Sequence, residues 1–236
     1  MNGRSVLITG GSKGIGLTTA RLFAEAGYRT AVTYHSSPPP EGLFAVKCDV
    51  ADTQSVKEAF AAVEAEQGPV EVLVSCAGIT ADGPLMMMSD DKLERVINTN
   101  LLGAGRVARQ AVRKMTTARW GRLIFISSAV GLRGETGQAN YAASKAGLVG
   151  LARSLARELG TRGITSNVVS PGLIHTEMVT STLSEAKVAH LVEQIPTGRI
   201  GHPEDVADAI LWLAGDGAAY VNGAVIPVDG GAGMGH

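Results

Sequence analysis

Val6-Leu7-Ile8-Thr9-Gly10-Gly11-Ser12-Lys13-Gly14-Ile15-Gly16 sets the fold of this chain. The first four residues have the composition of a short buried strand, the glycines that of a tight turn, and 17–26, closed by Gly27, that of a helix. A strand that runs through a glycine-rich turn into a helix opens a βαβ unit, and such units build parallel sheets. The spacing is Gly-x-x-x-Gly-x-Gly, which a plain strand-to-helix turn would also satisfy. Its context favours a dinucleotide. Gly10, Gly14 and Gly16 let the backbone approach a pyrophosphate, and the helix N-terminus offers N–H groups and partial positive charge. Ser12, Lys13 and Ile15 complete the loop.

The pattern repeats along the chain. Strands are expected at 29–34, 43–47, 70–74, 123–126, 164–169 and 224–228, alternating with helices at 53–67, from 89 to about 118, 141–159 and from Pro203 to Gly215. That predicts an α/β single-domain Rossmann fold over 1–236, with a seven-stranded parallel doubly wound sheet and helices on both faces. Hydrophobic residues make up 45% of the 236 but aromatics only 4%, so the core must be built from Ala, Val, Leu and Ile. A net charge of -1 argues against a nucleic-acid partner. No apolar run approaches the ~18 residues of a membrane span. The chain enters a strand almost at once, which argues against a signal peptide, and Cys48 and Cys76 suit small buried hydrophobes. A soluble cytoplasmic protein without a metal site is expected.

The end of the second strand, Tyr34-His35-Ser36-Ser37, carries no acid to bind the free ribose hydroxyls of NAD. That absence, with Lys13 nearby, favours NADP. His35 suits a 2′-phosphate ligand and a surface-loop histidine equally well. Asp49-Val50 follows the third strand, where an Asp can accept from an adenine amine, and Ala77-Gly78 follows the fourth, where small residues let a nucleoside lie against the backbone. Met86 to Met88 suit flexible packing better than a cofactor contact. Residues 176–194 are polar and small and suggest a helical lid. A buried Asn at Asn98 or Asn100, in mid-helix, should bond backbone or water at a kink.

The chemistry lies in Ser127 to Lys145. Tyr141 and Lys145 are four apart on a helix, one turn from each other on one face. Alone, Tyr-x-x-x-Lys is an ordinary helix surface. The set Thr9-Gly10-x-x-x-Gly14-x-Gly16, Ala77-Gly78, Asn100-Leu101, Ser128, Tyr141-x-x-x-Lys145 and Pro171-Gly172, in that order, resembles the short-chain dehydrogenase/reductase family. Within it, Gln138 to Gly147 and the Gly-Ala-Val-Ile-Pro-Val-Asp-Gly-Gly end resemble the 3-oxoacyl-[acyl-carrier-protein] (beta-ketoacyl) reductases, the long-chain mycolic-type branch in particular.

That resemblance implies NADPH-dependent reduction of 3-oxoacyl thioesters in fatty-acid synthesis. Tyr141 would be the acid and Lys145 would lower its pKa and hold the nicotinamide ribose. Ser128 would bond the carbonyl, and Asn100 would hold a proton-relaying water. Pro171, Gly172, Ile174 and Thr176 would hold the nicotinamide amide. Arg119 and Arg162 match positions that contact the acyl carrier protein, and they also suit ordinary surface charge. A homotetramer is implied, through the helices near 101–118 and 139–159 and the last strand. Other ketones, polyketides or acyl-CoA as substrates, or a non-catalytic NADP-binding role, are the alternatives.

Overall fold

A computed structural model describes residues 3–180 and 184–234. The apolar runs form strands β1 (Ser5–Thr9), β2 (Arg29–Tyr34), β3 (Phe44–Lys47), β4 (Val72–Ser75), β5 (Gly121–Ile126), β6 (Ile164–Pro171) and β7 (Val225–Val228). They pair in parallel throughout, in the order β3-β2-β1-β4-β5-β6-β7. The helices are α1 (Gly14–Glu25), α2 (Thr53–Gln67), α3 (Asp90–Ile97), α4 (Gly103–Ala118), α5 (Ala129–Arg133), α6 (Ala139–Leu159), α7 (Glu177–Thr180), α8 (Glu185–Val192) and α9 (Pro203–Ala214). This is the expected single-domain Rossmann-like α/β architecture.

Successive strand residues face opposite sides of a sheet, so a continuous apolar run serves two cores. Leu7, Leu73, Leu123 and Phe125 pack with Val56, Phe60, Val107 and Leu148 from α2, α4 and α6. Val6, Ile8, Ile124 and Ile126 pack on the other face with Phe23 of α1 and Val206, Ile210 and Leu213 of α9. Between β1 and β4 the strand order reverses, which opens a crevice at their carboxyl ends. Thr9 holds its floor together: its Oγ1 accepts from the N–H groups of Cys76 and Ala77, both at 3.2 Å.

Strand edges shift by at most two residues from expectation, and α1 begins three residues early, at Gly14. Other differences carry physical content. The helix expected over 89–118 is broken by a π-helical turn, Asn98–Leu102, between α3 and α4. The wide turn sets Asn100, only 1% exposed, into the interior. The loop expected after Ser128 contains α5, which Ser128 caps by accepting from Val130 N–H at 3.2 Å. The packing role expected for Met86 and Met87 does not hold: they follow Pro84 in a 3₁₀ turn and are 93% and 79% exposed. The segment 176–194 contains α7 and α8 as separate short helices, and 181–183 lie outside the described residues. Cys48 is buried and Cys76 partly so, both as free thiols. Among the described residues, no helix is long and apolar enough to cross a membrane, and no cluster of His, Cys, Asp or Glu could hold a metal ion.

Candidate active site

The carboxyl end of β5 meets the start of α6. Ser127 Oγ donates to the Lys145 carbonyl at 2.9 Å and so ties helix to strand. Gly131 permits the close approach of α5, because a Cβ there would lie 2.8 Å from Lys145 Cβ. Ser128 stands beside Tyr141, near enough for its hydroxyl to favour the phenolate. With one Ser128 lone pair engaged by Val130 N–H, its proton is left to donate outward. Tyr141 is fixed at its backbone by Asn140, whose Oδ1 accepts from Tyr141 N–H at 2.7 Å and whose Nδ2 donates to the Ala81 carbonyl at 3.0 Å.

Lys145 is 4% exposed, and its Nζ donates to the Ile126 carbonyl at 2.7 Å. The ammonium lies 5.6 Å from the centroid of the Tyr141 ring. Burial drives the Lys145 pKa down to about 8. Burial also pushes the Tyr141 phenol up to about 12, against the smaller pull of the neighbouring Ser128 hydroxyl. The net shift runs opposite to the lowering expected from Lys145, because desolvation of the phenolate is the largest cause. Cys76, close enough to Lys145 to feel its charge, is pushed up to about 11 by burial and stays a neutral thiol at pH 7.

Asn100 bonds backbone, as a mid-helix Asn should. Its Oδ1 accepts from Ile79 N–H at 2.8 Å, and its Nδ2 donates to the Ile79 carbonyl and to Ser144 Oγ, both at 3.0 Å. Ser144 in turn donates to the Tyr141 carbonyl at 2.7 Å. Asn100 thus connects the segment after β4 to α6. A Cβ on Gly78 would come within 3.3 Å of both Asn100 Oδ1 and Lys145 Nζ, so only glycine fits there without displacement. Ser144 and Asn140 were missed in the sequence. Their places beside Tyr141 and Lys145 were the available signal.

The residues expected to hold a dinucleotide line the crevice from its other side. Gly10, at φ +69°, packs so tightly that a Cβ would lie 2.8 Å from Ala77 Cα, and a Cβ on Gly16 would collide with the Gly10 carbonyl. The first turn of α1 receives no side-chain cap from Lys13, which leaves its N–H groups for an anion. This uncapped helix start, at the reversal of strand order, fits a dinucleotide pyrophosphate. His35 and Asp49 stand together at the ends of β2 and β3, with Nε2 and Oδ2 3.9 Å apart. Asp49 Oδ1 accepts from Ala51 N–H at 2.8 Å, and Val50 is buried.

The end of β6 closes the crevice. Gly172 N–H donates to the Val228 carbonyl at 3.0 Å, Ile174 is 4% exposed, and Thr176 Oγ1 donates to the Ile174 carbonyl at 3.4 Å. A Cβ on Gly14 would touch Thr176 Cγ2 at 3.5 Å, and Lys13 Nζ lies 2.9 Å from Glu177 Oε2. Arg119 and Arg162 stand elsewhere. They precede β5 and β6, at the amino edge of the sheet, whereas Ser128 follows β5 at the carboxyl edge. Roughly 20 Å of strand separates the two edges. Arg119 adopts a left-handed conformation (φ 55°) and donates to the Thr161 carbonyl at 3.0 Å.

A parallel sheet with an uncapped glycine turn and an adjoining Ser-Tyr-Lys-Asn cluster defines a nucleotide-dependent oxidoreductase. The chain belongs to the short-chain dehydrogenase/reductase family, whose members use a nicotinamide cofactor. Residues 10–233 match the family model described as enoyl-(acyl carrier protein) reductase. The chain is 54% identical over 233 residues to the 3-oxoacyl-[acyl-carrier-protein] reductase MabA of Mycobacterium tuberculosis, covering 99% of this chain and 94% of that protein. It is 41% identical over 237 residues to the 3-oxoacyl-[acyl-carrier-protein] reductase FabG of Escherichia coli, covering 97% of each. The family description and the relatives' names differ on the reaction. The relatives weigh more, being individual proteins matched over nearly their whole length.

Proposed function

We propose that this protein reduces 3-oxoacyl thioesters on acyl carrier protein to 3-hydroxyacyl thioesters in fatty-acid synthesis, using NADPH. The observation that carries this reading is the cluster of Ser128, Tyr141 and Lys145 at the mouth of the crevice, with the Lys145 ammonium 5.6 Å from the Tyr141 ring centroid. It is joined by similarity to two such reductases along almost the entire chain. The cofactor supplies the hydride. Ser128 donates to the substrate carbonyl and orients it. Tyr141, held neutral by burial, hands its proton to the oxygen as negative charge develops there. A reduction needs the phenol and not the phenolate, so the raised pKa keeps the acid loaded. Lys145 sits one turn behind, and Asn100 is the candidate anchor for a water that returns the proton. Pro171, Gly172, Ile174 and Thr176 line the nicotinamide end, and α7 and α8 serve as the lid.

Three further readings belong with this one. Arg119 and Arg162 dock the carrier protein. The chain is cytoplasmic. It assembles as a homotetramer, for which α4 and α6 offer Gly105 and Gly150, each with open space where a Cβ would stand. Half-exposed Leu102 and Trp212 and the fully exposed Tyr220 add apolar surface. The test of function is oxidation of NADPH by the purified protein with acetoacetyl thioester. A folded protein that turns over neither carrier-bound nor coenzyme A-bound substrate would refute the reading.

A further inference from the structure

Lys13 belongs to the glycine turn, and Gly11 N–H in that turn donates to the Thr33 carbonyl at 2.9 Å. The turn therefore leaves the sheet beside the end of β2, where His35 stands and where an adenosine ribose lies in this fold. Yet the Lys13 ammonium points across the crevice to Glu177, the first residue of α7, at 2.9 Å. Thr176 against Gly14 brings the two segments together at the same place. Both charged side chains are about 70% exposed, so the pair stands open to solvent.

We propose that Glu177 sets cofactor selectivity by competing with the cofactor's 2′-phosphate for Lys13. This rests on the NADPH reading. A 2′-phosphate carries up to two negative charges and three acceptor oxygens, so it outbids one carboxylate for an ammonium; a 2′-hydroxyl does not. The phosphorylated cofactor must break the Lys13–Glu177 pair, and the unphosphorylated one leaves it intact. Glu177 thus narrows the preference that Lys13 creates. A solvent-exposed pair is worth up to about five-fold in an equilibrium, which sets the size of the effect.

The test is calorimetric titration of cofactor-free protein with 2′,5′-ADP and with 5′-ADP, without turnover. Glu177→Gln should bind 2′,5′-ADP about two- to five-fold more tightly than wild type and leave 5′-ADP unchanged. In a Lys13→Met background, the same substitution should change neither. Equal tightening of both ligands, or tightening that survives Lys13→Met, overturns the inference, because Glu177 would then be repelling the diphosphate. Wild-type preference for 2′,5′-ADP that Glu177→Gln leaves untouched overturns the inference alone. Wild-type indifference between the ligands overturns the NADPH reading and the inference with it.

Discussion

Replacing Asn100 by Ala should loosen the protein and the site by separable amounts. The side chain makes three hydrogen bonds, two to Ile79 and one to Ser144. Ser144 keeps its bond to the Tyr141 carbonyl after the change, so it loses only a donor. Ile79 loses partners at both N–H and carbonyl. A buried polar group left unsatisfied costs about 1–3 kcal/mol, and Ile79 is only partly buried, so water recovers part of this. The sum is about 2–3 kcal/mol, read as a lower midpoint in urea with an unchanged slope. Most domains are stable by about 5–15 kcal/mol, so the variant should remain folded in buffer. Its activity then reports geometry and not unfolding. Because Asn100 Oδ1 and Lys145 Nζ both lie 3.3 Å from where a Gly78 Cβ would stand, turnover should fall by more than ten-fold while the far-ultraviolet spectrum is unchanged. A variant within about 0.5 kcal/mol of wild type and of normal activity would refute the reasoning, since the π-helical turn would then have no bonding role.

Tyr141→Phe should retain cofactor binding and lose turnover by roughly 10²–10⁴-fold, as measured by stopped-flow. Folded Lys145 releases its proton near pH 8 and the unfolded side chain near 10.5, so between these the unfolded chain binds more protons and stability rises with pH. Lys145→Met should therefore be the more stable protein at pH 7, by about 1–2 kcal/mol after the lost bond to Ile126 is counted, and the gap should narrow by pH 10 in urea titrations. Met86→Ser with Met87→Ser should raise KM for long acyl chains more than for acetoacetyl thioester, because these side chains stand exposed beside the segment that Asn140 fastens to α6. Charge reversal at Arg119 and Arg162 should raise KM for carrier-bound substrate and leave the coenzyme A thioester unaffected; equal effects would place docking elsewhere.

The fold was legible because buried parallel strands need unbroken apolar runs, and Val72–Val74 or Leu123–Ile126 allow few other readings. The order of motifs carried the candidate site. Relations between side chains far apart in sequence were not legible. The direction of the Tyr141 pKa depended on how far the fold takes the phenol out of water. The grip of Glu177 on Lys13 spans 164 residues. The π-helical turn was foreshadowed by Asn98 and Asn100, which disfavour a regular helix, but spacing alone could not say which one turns inward. Met86 and Met87 were misjudged because apolar composition does not reveal exposure when the chain is fixed by its neighbours. The amino-edge position of Arg119 and Arg162 follows from strand direction, and was available once the strands were assigned.

The layer beneath β1 and β5 has a consequence for how the chain is made. Phe23 and Ala20, from the first helix, share a core with Val206, Ile210 and Leu213 from the last long one. A ribosome must therefore deliver residue 214 before that face of the sheet can close, while Leu7, Phe60, Val107 and Leu123 on the opposite face can gather much earlier. The nascent protein should spend most of its synthesis half-covered, with one side of its sheet exposed to solvent or to a chaperone. A chain cut short before Pro203 should then be aggregation-prone, even with every candidate catalytic residue in place.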